Sequence, residues 1–350
     1  MTLRDTRPGT ILIAALVTAA AWYAIYPESV RRTLPQLQFG CESQNPRSFV
    51  YVKKVYWSSD SQKLLSVAHG EVGQDGPLAL HDLDDRPYRM PIDMLGELVA
   101  TAVLAPDGRH VLVATHQGHL WWIGLESDER LLLLDLPPRT DFTSAAVSAD
   151  GRQVVAACTD GSIYLCDPER PRAVTFASGL ISHQSEMRFS SDGRKLVSAG
   201  QDGWLCVWEL PSGELLHRWK GHGQPATAAA FLSDGRMISA SLDDTIRIWD
   251  ISSGREIWRG DFSLYGVTAL AISADGRLAA WGGYNRKVIV WDLAKACKKY
   301  EIEVPLSIVR DLKFSPDNKS LAVAGSGGTL RVHDAQSGTE VAEIELGQTI

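Results

Sequence analysis

Cysteine is scarce: Cys41, Cys158, Cys166, Cys206 and Cys297 are scattered over 350 positions, with no CxxC pair and no dense spacing. That excludes a disulfide-stapled scaffold and gives no zinc framework; four of the five fall in or beside repeated apolar segments, where a thiol reads as a small buried hydrophobe. Basic charge is also in deficit. With 35 Lys and Arg against 42 Asp and Glu the formal net charge is −7, so nothing electrostatic points to DNA or RNA as a partner. No glycine-rich phosphate loop precedes a helical pattern, and beyond Tyr26 almost no helical periodicity occurs. Metal-ligating residues do not gather either: His116 and His119 flank a turn, but two ligands without a third make no site. The expectation is a chain with no catalytic residues, no cofactor and no metal.

What the chain does have is a period. Asp-centred turns between apolar runs recur at Asp60, Asp107, Asp150, Asp192, Asp234, Asp275 and Asp317, separated by 41 to 47 residues. A second marker near the end of each unit, at His81, Ile123, Cys166, Trp208, Trp249, Trp291 and His333, lies 26 or 27 residues before the next turn. Such a register marks an array whose units bury their faces against one another. The first unit alone is irregular, with about five extra residues within 69–77, which predicts a loop there. Within a unit the pattern is strand, turn, strand, turn, strand, then a small polar turn and a fourth strand. In the fifth unit Ser233-Asp234-Gly235, Asp243-Asp244 and Ser252-Ser253-Gly254 are the three turns. A four-stranded antiparallel sheet has two faces and two edges to cover, and radial packing around an axis solves both. The fold class is therefore all-β: a seven-bladed β-propeller of four-stranded antiparallel blades over residues 48–350.

One segment lies outside the period. Residues 10–26 carry no charge, end in the cluster Trp22, Tyr23 and Tyr26, and are followed by Arg31 and Arg32. This reads as a short hydrophobic transmembrane helix with aromatic residues at the lipid boundary, after a tail of residues 1–9. The competing reading is a cleaved secretory signal, with Arg4 and Arg7 as its basic start and Ala19-Ala20-Ala21 as its small-residue site. Residues 27–47, with three prolines, form a linker. A short tail that need not cross favours an extracytoplasmic propeller; signal cleavage would leave it secreted or periplasmic.

The motifs carry a family resemblance. Gly221-His222, Ser233-Asp234-Gly235, Ser239-Ala240-Ser241, Asp243 and Ile246-Arg247-Ile248-Trp249-Asp250 resemble the WD-repeat signature at the right spacing. Trp291-Asp292 and Trp208-Glu209 repeat its ending, with weaker copies at the other markers. The resemblance implies a buried hydrogen-bonded set of His, Ser, Asp and Trp that fastens a blade. The fifth unit alone has all four, as His222, Ser239, Asp243 and Trp249; the fourth keeps Ser198, Asp202 and Trp208 but has Leu180 in place of the His. Stability is therefore expected to vary around the ring. Many relatives take the outer strand of the last blade from the N-terminus, whereas here residues 340–346 supply it, so the last blade looks self-sufficient unless residues 34–39 add a strand.

The resemblance also implies a role in binding. Lys53, Ala100, Thr143, Ser185, Thr227, Thr268 and Arg310 align near the start of each innermost strand, close to the channel mouth where family members hold partners. Lys53 and Arg310 become neighbours on closure and would suit an acidic peptide or side chain. Arg139, His183 and Tyr265 are further rim candidates. The expected function is a non-catalytic protein–protein interaction platform tethered to a membrane by residues 10–26. The alternatives are an exported propeller acting as an enzyme or small-ligand sensor, and a structural subunit of a larger membrane complex.

Overall fold

The chain divides into Met1–Arg47 and Ser48–Ile350. The computed structural model describes residues 51–345 except 70–77, 84–88, 93, 95, 128, 138–139, 171–173, 178–183, 263, 306–307 and 327. The tail, the apolar run 10–26, the linker, the candidate strand 34–39 and most of the first-unit insertion lie outside the described residues. No helix among the described residues is long and apolar enough to cross a membrane.

Regular structure among the described residues is all strand, β1 to β28 in chain order. The strands form seven four-stranded sheets, each antiparallel and each using four consecutive strands. The first strands of the sheets are β1 (Tyr51–Trp57), β5 (Val99–Leu104), β9 (Phe142–Val147), β13 (Gln184–Phe189), β17 (Ala226–Phe231), β21 (Val267–Ile272) and β25 (Val309–Phe314). Each touches the first strand of the next sheet, and β25 touches β1, so these seven strands ring a common axis. The expected seven blades of four strands are present.

The Asp turns have a specific cause. In the first sheet the Ser58 hydroxyl donates to Asp60 Oδ1 at 2.5 Å, Asp60 Oδ1 accepts the Gln62 amide at 3.0 Å, and Ser58 Oγ accepts the Lys63 amide at 2.8 Å. The same Ser-x-Asp arrangement recurs at Ser148/Asp150, Ser190/Asp192, Ser273/Asp275 and Ser315/Asp317. The carboxylate satisfies backbone donors that the tight turn strips of strand partners. The following residue is left-handed: Gly151 has φ 73°, and Asn318 takes the same place at φ 61°.

Seven buried clusters occur among the described residues, and each is shared by two adjacent sheets. The first and second sheets meet through Leu65, Val67, Leu78, Val111, Val113 and Ile123. Trp258, Phe262, Trp281 and Trp291 pack between the fifth and sixth, with ring centroids 4.8 to 6.3 Å apart. Trp121 and Trp122, neighbours on β7 (His119–Gly124), point to opposite faces and are both half-buried, each against a different cluster. Cys158, Cys166 and Cys206 are buried as expected, whereas Cys297 begins β24 (Cys297–Glu303) exposed, because that outer strand has no sheet beyond it.

The ring closes between the seventh and first sheets. Val52, Val55 and Leu64 pack against Ala322, Ala324, Leu330, Val332 and Ile344. Polar contacts join this packing: Asp311 Oδ2 accepts the Val55 amide at 3.0 Å, and the Trp57 indole donates to the Lys313 carbonyl at 3.0 Å. The seventh sheet takes its outer strand, β28 (Glu340–Glu345), from its own unit.

Candidate functional site

Each first strand carries a register shift at one equivalent point. The extra residues are Lys53, Ala100, Thr143, Ser185, Thr227, Thr268 and Arg310, the same seven that the turn spacing aligns. A bulge leaves its residue outside the ladder and re-aims the side chain. Here several reach to the next sheet: Lys53 Nζ donates to the Ala100 carbonyl at 2.6 Å, Thr227 Oγ1 to the Val267 carbonyl at 2.8 Å, and Thr268 Oγ1 to the Val309 carbonyl. The sequence-aligned tier is a ring of bulges stitching neighbouring sheets together.

Beyond the bulges lies a cavity of about 420 Å³ bounded by β1, β5, β9, β13, β21 and β25. Its floor holds charges that sequence reasoning missed. Arg188 Nε and Nη2 donate to Glu186 Oε1 at 3.0 and 2.8 Å, and Nη2 also reaches the Leu270 carbonyl of the sixth sheet at 2.7 Å. Lys313 Nζ lies 3.3 Å from Asp311 and 3.8 Å from Glu186; Lys54 Nζ lies 3.9 Å from Asp311. Five charged side chains from the first, fourth and seventh sheets thus meet across the axis. The fifth and sixth sheets contribute alanines here, Ala228 and Ala230, Ala269 and Ala271, which leaves the span that Arg188 crosses. Burial alone would raise the Glu186 carboxyl, but Arg188, Lys54 and Lys313 outweigh it and bring it down to about 2. Burial works against the Lys54 ammonium too, yet Asp311 and Glu186 hold it above its ordinary range. At Lys313 burial prevails and lowers it. A signal was available: a charged residue directly after the aligned position, at Lys54, Glu186 and Asp311, and again two places on at Arg188 and Lys313.

Lys53 and Arg310 are brought together as the ring closes. The Arg310 guanidinium stacks 4.2 Å above the Tyr51 ring, and its Nε is buried without a hydrogen-bond partner. Among the described residues no carboxylate pairs with either cation. Burial, then the charges of Lys54 and Arg310, push the Lys53 ammonium down to about 8.

Tyr265 is half exposed in the segment entering β21, at φ 54°, held by the Gly266 amide donating to Asp244 Oδ1 at 2.5 Å. Leu98 is 65% exposed in the equivalent segment before β5. Arg139 and His183 lie outside the described residues.

The fifth sheet contains the expected tetrad. His222 Nε2 lies 2.7 Å from Ser239 Oγ, which accepts the Trp249 indole N–H at 2.8 Å, and His222 Nδ1 lies 3.1 Å from Asp243 Oδ2. Thr245 joins it, donating to Asp243 Oδ1 at 2.6 Å. Burial opposes ionisation of Asp243, but hydrogen bonds from His222 and Thr245 hold its carboxyl well below the usual range. In the fourth sheet Trp208 reaches Ser198 at 3.4 Å, and Leu180 lies outside the described residues. The tetrad's side chains hydrogen-bond to one another within the sheet. His119 pairs with Glu97 at 3.0 Å and His116 with Asp141 at 3.4 Å; among the described residues no metal-ligating group of three or more exists.

Residues 177–209 and 213–250 match the model of the WD domain, G-beta repeat, and residues 289–350 match that of the Anaphase-promoting complex subunit 4 WD40 domain. The chain is 37% identical over 243 residues to an uncharacterized WD repeat-containing protein of Synechocystis sp., covering 68% of each. It is 25% identical over 171 residues to the serine-threonine kinase receptor-associated protein of Gallus gallus, covering 48% of this chain and 45% of that protein.

Proposed function

Because this chain belongs to the WD-repeat family, we propose that it is a docking platform, without catalysis of its own, that holds an acidic segment of another protein on the bulged face of the ring. The observation that carries this reading is an arc over four consecutive sheets: Tyr265 entering the sixth, Arg310 in the seventh, Lys53 in the first and Leu98 entering the second. Two cations without a carboxylate partner among the described residues lie between two exposed apolar side chains. The complementary segment has one or two carboxylates flanked by apolar residues. Aromatic anchors and desolvated charges are where binding energy concentrates, and strand ends hold them rigidly.

The reading includes a tether. Residues 10–26 supply an uncharged run that, at about 1.5 Å per residue, reaches most of the way across a hydrocarbon layer of about 30 Å. With residues 27–47 as spacer, this supports a ring held on the extracytoplasmic side of a membrane.

Selection of peptides displayed on phage against the whole chain tests the docking face. The expected peptides carry acidic residues between apolar ones, and their affinity falls about tenfold or more with K53E and R310E together and several-fold with Tyr265→Ala. Peptides that bind the charge-reversed chain as tightly as the parent would remove this face from consideration. For the tether, the chain is expected to stay with membranes through an alkaline wash and to be digested by protease added outside; recovery in the wash would refute it.

A further inference from the structure

The channel cavity has a chemistry of its own. Its walls carry Lys53, Lys54, Arg188 and Lys313, with Glu186 as the carboxylate on the lining and Asp311 almost wholly buried behind it. Four cations therefore face two carboxylates, and both carboxylates are already engaged: Glu186 by Arg188 and Lys313, Asp311 by Lys54 and Lys313. Two positive charges are in excess, and among the described residues Lys53 is the cation of the four with no carboxylate contact. Its ammonium has three N–H donors, and its one hydrogen bond among the described residues goes to the neutral Ala100 carbonyl. An enclosed charge without a counter-ion is costly, and a like charge beside it makes it costlier. Ser185 lines the same space, adding a hydroxyl to the cations, while the Thr143 hydroxyl donates to the Ala157 carbonyl at 3.2 Å. A volume of about 420 Å³ lies within the range of roughly 300–1,000 Å³ usual for small-ligand sites.

We propose that this cavity binds a small multivalent oxyanion, of the organic di- or tricarboxylate or phosphate class, with Lys53 as its principal contact. The ligand supplies the negative charge that the wall lacks, and Ala271 of the sixth sheet leaves it room. The proposal shares Lys53 with the docking reading but is tested separately from it, since the ligand is free in solution and needs no partner protein.

Binding also couples to a proton. Lys53 faces Lys54 on its own strand and Arg310 on β25, while β5 offers it Ala100 and Thr101, both uncharged. With the ammonium titrating near 8 in the free protein, an anion that pairs with it draws a proton in. The contribution of Lys53 to affinity therefore falls as the pH rises above that value.

Isothermal titration of the whole chain in neutral detergent, with citrate and with inorganic phosphate against sodium chloride at equal ionic strength, tests the site. Saturable 1:1 heat is expected for at least one of the first two, and the tighter of them identifies the ligand class. The expected affinity weakens about tenfold or more in K53M and in S185D, which puts a carboxylate on the wall, and stays unchanged in K319M, an exposed turn lysine. At pH 8 the heat should depend on the ionisation enthalpy of the buffer, reporting proton uptake. No saturable heat with either anion, or equal binding by K53M and S185D, overturns the proposal; equal weakening in K319M overturns it as well, by showing general charge screening.

Discussion

Ser239 sits between two partners that have no substitute. With the Asp243 carboxylate ionised, His222 keeps its proton on Nδ1, so Nε2 accepts from the Ser239 hydroxyl while the same oxygen accepts from Trp249. Ser239→Ala leaves two buried polar groups unsatisfied and is expected to cost about 2–3 kcal/mol, measured by urea unfolding; Ser198→Ala, where the indole lies 3.4 Å away, is expected to cost less than about 1 kcal/mol. Glu186 gives the pH counterpart. Its folded carboxyl lies near 2 against an ordinary 4.5, so its contribution is complete above pH 4.5 and disappears as the pH falls toward 2. E186Q strands Arg188 and is expected to cost about 3 kcal/mol at pH 7, with the gap from the parent closing over that acid window. Lys53 has the opposite sign: depressed from 10.5 to about 8, it binds a proton more readily unfolded than folded between those values. The parent is therefore expected to gain stability from pH 8 to 10.5, and K53M, lacking that group, to show a smaller rise, Lys313 being lowered as well.

At the scale of the element, the turns carry most of what the sequence made legible. Ser-x-Asp satisfies its own backbone through contacts two to five residues long, so the Asp spacing located the turns, although the serine partner was not recognised. Left-handed glycines divide by their surroundings. Gly203, at φ 79°, would place a Cβ 2.4 Å from the His222 carbonyl oxygen, whereas Gly235, at φ 80°, has nothing within 4 Å. Gly203→Ala is expected to cost about 3 kcal/mol or more and Gly235→Ala about 1–2 kcal/mol, a difference that separates crowding from backbone strain. Outer strands were less legible. In the first sheet β4 (Arg89–Pro91) has three residues and in the third β12 (Val174–Ala177) four, where other sheets have six or seven. Their sequences alternate weakly because one edge faces solvent rather than another strand.

For the molecule as a whole, the cores lie between sheets rather than within them, so each sheet depends on both neighbours. Closure adds a polar element at one junction, where Asp311 accepts the Val55 amide and pairs with Lys313 and Lys54. Asp311→Ala is expected to speed amide exchange in β1 and β25 by about tenfold or more, while the tryptophan-packed fifth and sixth sheets keep their protection. Uniform acceleration around the ring would show instead that the sheets open as one unit.

The sequence by itself determined the number of sheets, their strand order, the tetrad of the fifth sheet and the tier of equivalent positions at the strand starts. Each of these is written in short-range chemistry: turn residues, alternation, and a repeat length that brings the same position back in every unit. The tertiary structure alone decided that the tier is a ring of bulges, that Lys53 and Arg310 share a junction without an acidic partner among the described residues, and that Lys54, Glu186, Arg188, Asp311 and Lys313 meet across the axis. Those residues belong to units far apart in the chain, and a closed ring, whose inner strands all face one line, is what brings their charges within a few ångströms of each other.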